Sequence, residues 1–292
     1  MLQDKVTTGL LFLAGIWAGS CGFGGPGHIA VFVGAVSALI MITIGSSVTT
    51  RYGNGLLGFN AVLVGCAAYT FFSVDLPSWH FVAAVFLTLP VKWLLDVVFT
   101  RAGMSSLTLP FILVTWLLLY AGPEFGASTY VSESIVSVPP LSVGSVLMAW
   151  LKGISQVFLI DSWVAGVLML IGLLMAGRRV ALWAMTGSAV GMVVAAVCGC
   201  GWSEIAQGLW GFSPVLTAIA VGATFRQAGA SWKWDAVAVI AVVLTVFVQW
   251  LIAPLLAAAG LPVLTLPFCL VTWFVLLARW GMTDLMRSKD DC

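Results

Sequence analysis

The chain has 292 residues and a formal net charge of +1, with 61% hydrophobic residues and only 8% Asp, Glu, Lys or Arg, against about 25% charged residues in an ordinary soluble domain. That composition excludes water as the main solvent around the fold. The near-zero charge also excludes nucleic acid as a partner, because phosphate neutralisation needs a clustered basic face.

Taken in chain order, the first apolar run, Gly9 to Ala18, leads into Gly-rich sequence without a small-residue cleavage signature, so it reads as a membrane span rather than a leader. Apolar periodicity predicts helices over 9–21, 28–48, 63–74, 79–100 and 107–121. A further piece at 54–62 is too short to cross a hydrocarbon layer of roughly 30 Å by itself. A polar stretch from Pro123 to Val143 follows. The pattern then returns over 157–177, 180–200, 216–226, 235–258 and 264–281, with a short piece at 206–215.

The two series are related by an internal repeat. Leu107-Thr-Leu-Pro-Phe-Ile-Leu-Val-Thr-Trp116 recurs as Leu264-Thr-Leu-Pro-Phe-Cys-Leu-Val-Thr-Trp273, 157 residues later. Gly55-Leu-Leu-Gly-Phe-Asn-Ala-Val-Leu63 recurs as Gly208-Leu-Trp-Gly-Phe-Ser-Pro-Val-Leu216 at a spacing of 153, and Gly9 to Gly15 matches Gly166 to Gly172, again at 157. The expected fold is therefore an all-α integral membrane protein of ten transmembrane helices plus two re-entrant half-helices in two inverted-topology repeats. Its divisions are a first membrane repeat over 1–122, a polar inter-repeat connection over 123–152 and a second membrane repeat over 153–292. Five crossings per repeat is an odd number, so the second repeat lies upside down relative to the first.

Charge placement agrees with that count. With a cytoplasmic N-terminus, the inner segments collect Lys5, Arg51, Arg101, Arg178, Arg179, Arg226, Lys233, Arg279, Arg287 and Lys289. The outer ones collect Asp75, Glu124, Glu133 and Glu204, and Lys152 alone runs against the rule. Both termini are expected in the cytoplasm, and tight loops without targeting tails suit a bacterial inner membrane.

Ion-coupled pumps place carboxylates or histidines inside their spans. Here the pair within a span is Lys92 and Asp96, spaced i,i+4 so that a local ion pair accounts for both. His28 and His80 fall at predicted helix starts, and the six cysteines carry no Cys-x-x-Cys pair. No nucleophile with a base, metal cluster or phosphate cradle is visible, so the sequence reads as no enzyme, without catalytic residues, metal or cofactor.

Candidate pore residues come from the repeat. Gly55, Gly58, Gly208 and Gly211 permit close backbone approach, which serves either helix packing or the lining of a path. Pro110 and Pro267 each follow a Thr by two residues at a helix start, where the missing N–H is harmless. A single membrane Thr commonly back-bonds to its own helix. Thr108 and Thr265, in matched motifs, instead suggest hydroxyls at symmetry-related depths. Phe59 and Phe212 occupy matched positions and serve either as core or as the two walls of a flat slot. A planar amide stripped of water needs replacement acceptors, each missing bond costing about 1–3 kcal/mol.

The segment Leu261-Pro-Val-Leu-Thr-Leu-Pro-Phe268 has the form Leu-Pro-x-x-Thr-x-Pro-Phe and resembles the signature of the urea transporter family. Together with Gly-Leu-x-Gly-Phe-x-x-Val-Leu in both halves, the resemblance covers essentially the whole chain. It implies a homotrimer in the lipid bilayer, each subunit with its own pore, passing urea or a close analogue down its gradient through an oxygen ladder between phenylalanine-lined slots. Carried over by motif, Thr265 and its mate Thr108 correspond to ladder threonines and Phe212 to a slot wall. Phe59 follows from the repeat. Gln156 and Val157, in Gly153-Ile-Ser-Gln-Val-Phe158, resemble the segment supplying a polar ladder residue and its slot neighbour. The first-half counterpart of that segment would fall before Met1. Met104-Ser105 also stands where the second half has Leu261-Pro262, and Asn60-Ala61 where it has Ser213-Pro214, so the expected pore is only pseudo-symmetric. The alternatives are a channel for another small neutral solute, such as a short amide, ammonia or water, and an ion-coupled secondary transporter.

Overall fold

The computed structural model describes residues 6–21, 56–72, 78–101, 103–122, 138–226 and 231–290. The predicted helix over 28–48 lies outside them. The described chain is helical: α1 (Val6–Cys21), α2 (Leu56–Phe71), α3 (Ser78–Arg101), α4 (Leu109–Ala121), α5 (Val143–Ser155), α6 (Trp163–Ala176), α7 (Arg178–Val197), α8 (Trp202–Ala206), α9 (Phe212–Ile219), α10 (Trp232–Ala258) and α11 (Leu266–Asp290). Residues 83–101 of α3, together with α7 and α10, are long and apolar enough to cross a bilayer, and α5 with α6, bent by 73°, makes a fourth if counted as one span. Their outward faces carry large apolar side chains such as Leu94, Val197, Ile240 and Leu255, which suits contact with lipid tails and not with water.

Three sequence expectations are corrected. The short piece at 54–62 does not stand apart from 63–74: Leu56–Phe71 is one helix, because nothing between Gly58 and Ala68 withdraws a backbone donor. In the second half the break does occur, but earlier. Gly208 turns the chain at φ +78, and α9 then runs from Phe212 into a π-helical segment, Ala220–Thr224. The predicted 206–215 and 216–226 therefore meet inside one rod.

The third correction concerns 143–162. Val143–Ser155 is a helix, whereas periodicity placed the next helix at 157–177. A capping box starts it: Ser142 accepts from the Ser145 backbone at 3.1 Å, and Ser145 Oγ accepts from the Ser142 N–H at 2.9 Å. Ser145, Ala149 and Gly153 recur at four-residue intervals as its buried stripe. The helix tightens to a 3-10 turn over Gln156–Phe158 and stops at Leu159, which adopts the left-handed region at φ 59. Ser155 Oγ sits in this elbow, 2.7 Å from Ile160 O and 2.9 Å from Ser162 O, so one hydroxyl serves carbonyls that the bend has freed. Ser162 then caps α6. Lys152, the charge on the wrong side in the sequence reading, pairs with Asp161 across the same elbow at 2.7 Å.

The two halves share one core. Phe12 and Ile16 of α1, Leu63 of α2, Phe111 of α4, Met169 of α6, Val215 of α9 and Phe268 of α11 belong to a single buried cluster. Helices α1 and α6, which carry the matched Gly9–Gly15 and Gly166–Gly172 segments, pack directly on each other, with Thr8 donating to Gly172 O at 3.1 Å. On α3 and α10, Thr88 and Thr245 stand 157 residues apart and bond back to Ala84 O and Ala241 O, which are 157 apart as well. The repeat thus extends to side-chain detail along helices whose sequences differ.

Close approach, more than helix propensity, sets the position of α5. A Cβ at Gly153 would lie 2.2 Å from Ser188 Oγ and 3.1 Å from Gly211 Cα, whereas one at Gly9 would meet nothing within 4 Å. Gly153→Val is expected to destabilise the fold by about 1–3 kcal/mol through overpacking, read as a lower melting temperature in detergent, with Gly9→Ala unchanged. Equal melting temperatures would contradict the close packing of α5.

Candidate functional site

The repeated Leu-Thr-Leu-Pro-Phe segments form the starts of α4 and α11. In both, the Leu before the Thr adopts the left-handed region, Leu107 at φ 50 and Leu264 at φ 48. A branched residue there is strained and persists only where its surroundings over-determine it. Those surroundings are polar. Asn60 Nδ2 donates to Leu107 O at 3.2 Å, while its Oδ1 accepts from the Phe111 N–H at 3.1 Å. Its repeat mate Ser213 lies 3.5 Å from Leu264 O, the equivalent but longer bond. Asn60 and Ser213 are both buried, so they act as fixtures of the break and not as solvent contacts.

The break turns Thr108 and Thr265 toward each other. Their hydroxyls share a hydrogen bond of 2.7 Å across the boundary between the repeats, and Thr108 Oγ1 also lies 3.2 Å from Cys269 Sγ. Both threonines are buried. Contact between equivalent residues of two repeats marks the place where a two-fold relation passes through the molecule. Two turns further along each helix, Thr115 and Thr272 are buried with hydroxyls that have no hydrogen-bond partner, again as repeat mates.

The other candidates fall in two places. Val157 and Phe59 line a cavity of about 30 Å³ with Phe12, Phe158, Met169 and Leu216 among its walls, room for one or two water-sized guests. Phe158 is its aromatic centre, edge-on to Phe12 at 5.6 Å and to Phe59 at 5.8 Å. Phe212 is buried but does not line this cavity, so its partner in the sequence, Phe59, finds its ring contact with Phe158. Gln156 is buried and donates to Gln207 O at 2.9 Å, holding the turn before Phe212. Gln249 Nε2 holds the next carbonyl but one, Leu209 O, at 2.9 Å.

Several of these residues escaped the sequence reading. Phe158 ended a motif and was not singled out in it. Asn60 was visible as a lone amide in an apolar run, although its two partners lie 47 and 51 residues away. Ser106 had no signal at all, yet it completes a buried cluster. Lys92 Nζ bonds Asp96 and also Ser106 Oγ at 3.0 Å, and Ser106 Oγ donates to Asp96. The Lys92–Asp96 pair is thus more than a local ion pair, because it anchors the residue two before Thr108. The second repeat has Gln249, Ala253 and Val263 at the equivalent positions, 157 residues on.

Removing one member of such a pair strands the other in a medium that solvates it poorly. Asp96→Ala is expected to cost about 3–5 kcal/mol, whereas Lys92→Gln with Asp96→Ala, the second repeat's own residues, should recover most of it. Thermal unfolding in detergent reads both, and equal losses would contradict the coupling.

A family model described as Urea transporter matches residues 1–280. Among known proteins, the chain is 28% identical to Urea transporter 1 of Ovis aries over 281 residues, covering 92% of this chain and 72% of that protein. It is 27% identical to Urea transporter 1 of Rattus norvegicus over 291 residues, covering 96% and 74%.

Proposed function

Because the chain belongs to the urea transporter family, a family of multi-pass membrane proteins, we propose that it carries urea passively through a narrow filter between its repeats. The observation that carries this reading is the Thr108–Thr265 contact at the repeat boundary, where two buried hydroxyls face each other. Urea offers four N–H donors and one carbonyl acceptor. Each threonine hydroxyl has one donor and two lone pairs. A guest arriving between the two exchanges the Thr–Thr bond for bonds to itself, so its lost hydration is replaced without any group being left unpaired.

Apolar aromatic walls on either side suit the faces of a flat guest. Val157 and Phe59 are assigned to one such slot and Phe212 to the other, with Gln156 at the mouth next to Val157. In this reading the repeats span 1–122 and 153–292, with 123–152 between them. They are inverted in the membrane, ten helices cross, and the re-entrant half-helix of the second repeat begins at the break around Gly208. Both termini face the cytoplasm of a bacterial inner-membrane protein, and three subunits assemble, each with its own path. The reciprocal contacts between repeat mates support a two-fold relation between the repeats, and an odd number of crossings per repeat puts its axis in the membrane plane.

Among the described residues, Lys92 is the buried charged side chain, and it and Asp96 satisfy each other, which supports passive transport over transport coupled to an ion. Stopped-flow urea entry into proteoliposomes at neutral pH, without an ion gradient, is expected to exceed that of protein-free vesicles, and equal rates would remove the proposal. Thr265→Val, which keeps shape and removes the hydroxyl, should slow urea by about tenfold in correctly assembled protein. Unchanged flux would contradict the ladder role.

A further inference from the structure

The loops that carry the two threonines are held from across the repeat boundary by a pair of tryptophans. Trp116 Nε1 donates to Pro262 O at 2.9 Å, and Trp273 Nε1 donates to Ser105 O at 2.9 Å. The tryptophans are repeat mates 157 residues apart, and so are the acceptors. Each acceptor carbonyl stands three residues before its threonine. The bonds are therefore crossed: the second repeat's indole fixes the first repeat's threonine loop, and the first repeat's indole fixes the second's.

These bonds differ in kind from those of Asn60 and Ser213. Asn60 holds Leu107, and Ser213 holds Leu264, each within its own repeat. Such bonds fix the shape of a loop and leave the separation of the two loops free. Trp116 and Trp273 tie each loop to the helix that bears the opposite threonine, and so set the distance between the hydroxyls. The indoles are themselves restrained. Both pack against the main core, and the Phe99 ring lies 4.8 Å from that of Trp273 at 33°. Indole has one donor and no acceptor, so each ring can make this bond in a single orientation. Ser105 and Pro262 both lie in irregular loops, which leaves their carbonyls without a helical partner of their own.

Resting on the reading of Thr108 and Thr265 as the filter, we propose that Trp116 and Trp273 are positioning residues that set its width and thereby its discrimination among small neutral solutes. Neither indole touches the solute. Each acts through the threonine loop of the other repeat. Releasing a clamp widens the spacing of the hydroxyls, which favours a bulkier guest over one that bridges both.

The test uses the full chain in proteoliposomes, with urea and N-methylurea as probes and Trp116→Phe and Trp273→Phe as variants that keep an aromatic ring and delete the N–H. The urea to N-methylurea permeability ratio is expected to fall about two- to tenfold in either variant, the worth of one buried hydrogen bond. Loss of folded protein alone slows both solutes equally and leaves the ratio intact, so an unchanged ratio overturns the proposal. If phenylalanine prevents assembly, 3-benzothienylalanine at the same positions keeps the bicyclic volume without the N–H, and the same ratio decides. Should the wild type pass neither solute, the transport reading fails by itself, and maleimide labelling of Cys269 decides the clamp. That buried thiol lies against Thr108. Labelling at least threefold faster in the variants than in the wild type keeps the clamp, and a smaller change overturns it.

Discussion

In a hydrocarbon surrounding, no backbone N–H or C=O can turn to solvent for a partner, and this constraint organises the whole molecule. Among its departures from α-helix are those at 103–108, 156–162, 207–211 and 259–265. Each of these four is matched by a side chain that takes up a freed carbonyl: Trp273 at Ser105, Asn60 at Leu107, Ser155 at Ile160, Gln156 at Gln207, Gln249 at Leu209, Trp116 at Pro262 and Ser213 at Leu264. Many of the buried polar residues therefore mark the breaks, and two of the breaks present the threonines, while others, such as Thr88 and Thr245, bond back within their own helices.

The repeats answer the same demand with different residues. Ahead of Thr108 stands a lysine–aspartate–serine cluster, and ahead of Thr265 stands valine, with a glutamine in the lysine's place turned to another loop. Gln249 consequently keeps a buried carbonyl oxygen without a partner. Asn60 makes two bonds where Ser213 makes one longer bond. The first repeat therefore holds its threonine more firmly than the second does. A two-fold frame built from unequal fixtures thus brings both hydroxyls into contact.

That the family is shared at 27–28% identity is intelligible on these terms. The described helices expose many large apolar side chains, which a lipid surrounding accepts in any shape. The fold places its most specific demands on a donor for each broken carbonyl, a small residue at each close approach and a hydroxyl at the boundary. Gly153, Gly208 and Gly211 form one such approach, backbone against backbone, and no larger residue fits there.

The amino-acid sequence by itself determined the solvent of the fold, its helical class, the duplication and the pairing of Thr108 with Thr265, because hydropathy, periodicity and repetition are local or additive properties of a chain. It misplaced α5, because a short helix with Ser, Ala and Gly on its buried face reads as polar connection when only apolar spacing is counted. It left Trp116 and Trp273 as the last residues of the repeated segments, and Ser106, without any role. Only the tertiary structure decided which carbonyls the breaks expose and which donors reach them. Those donors lie up to 168 residues from their acceptors, and a bond between two places so far apart in the chain leaves no trace in the composition of either.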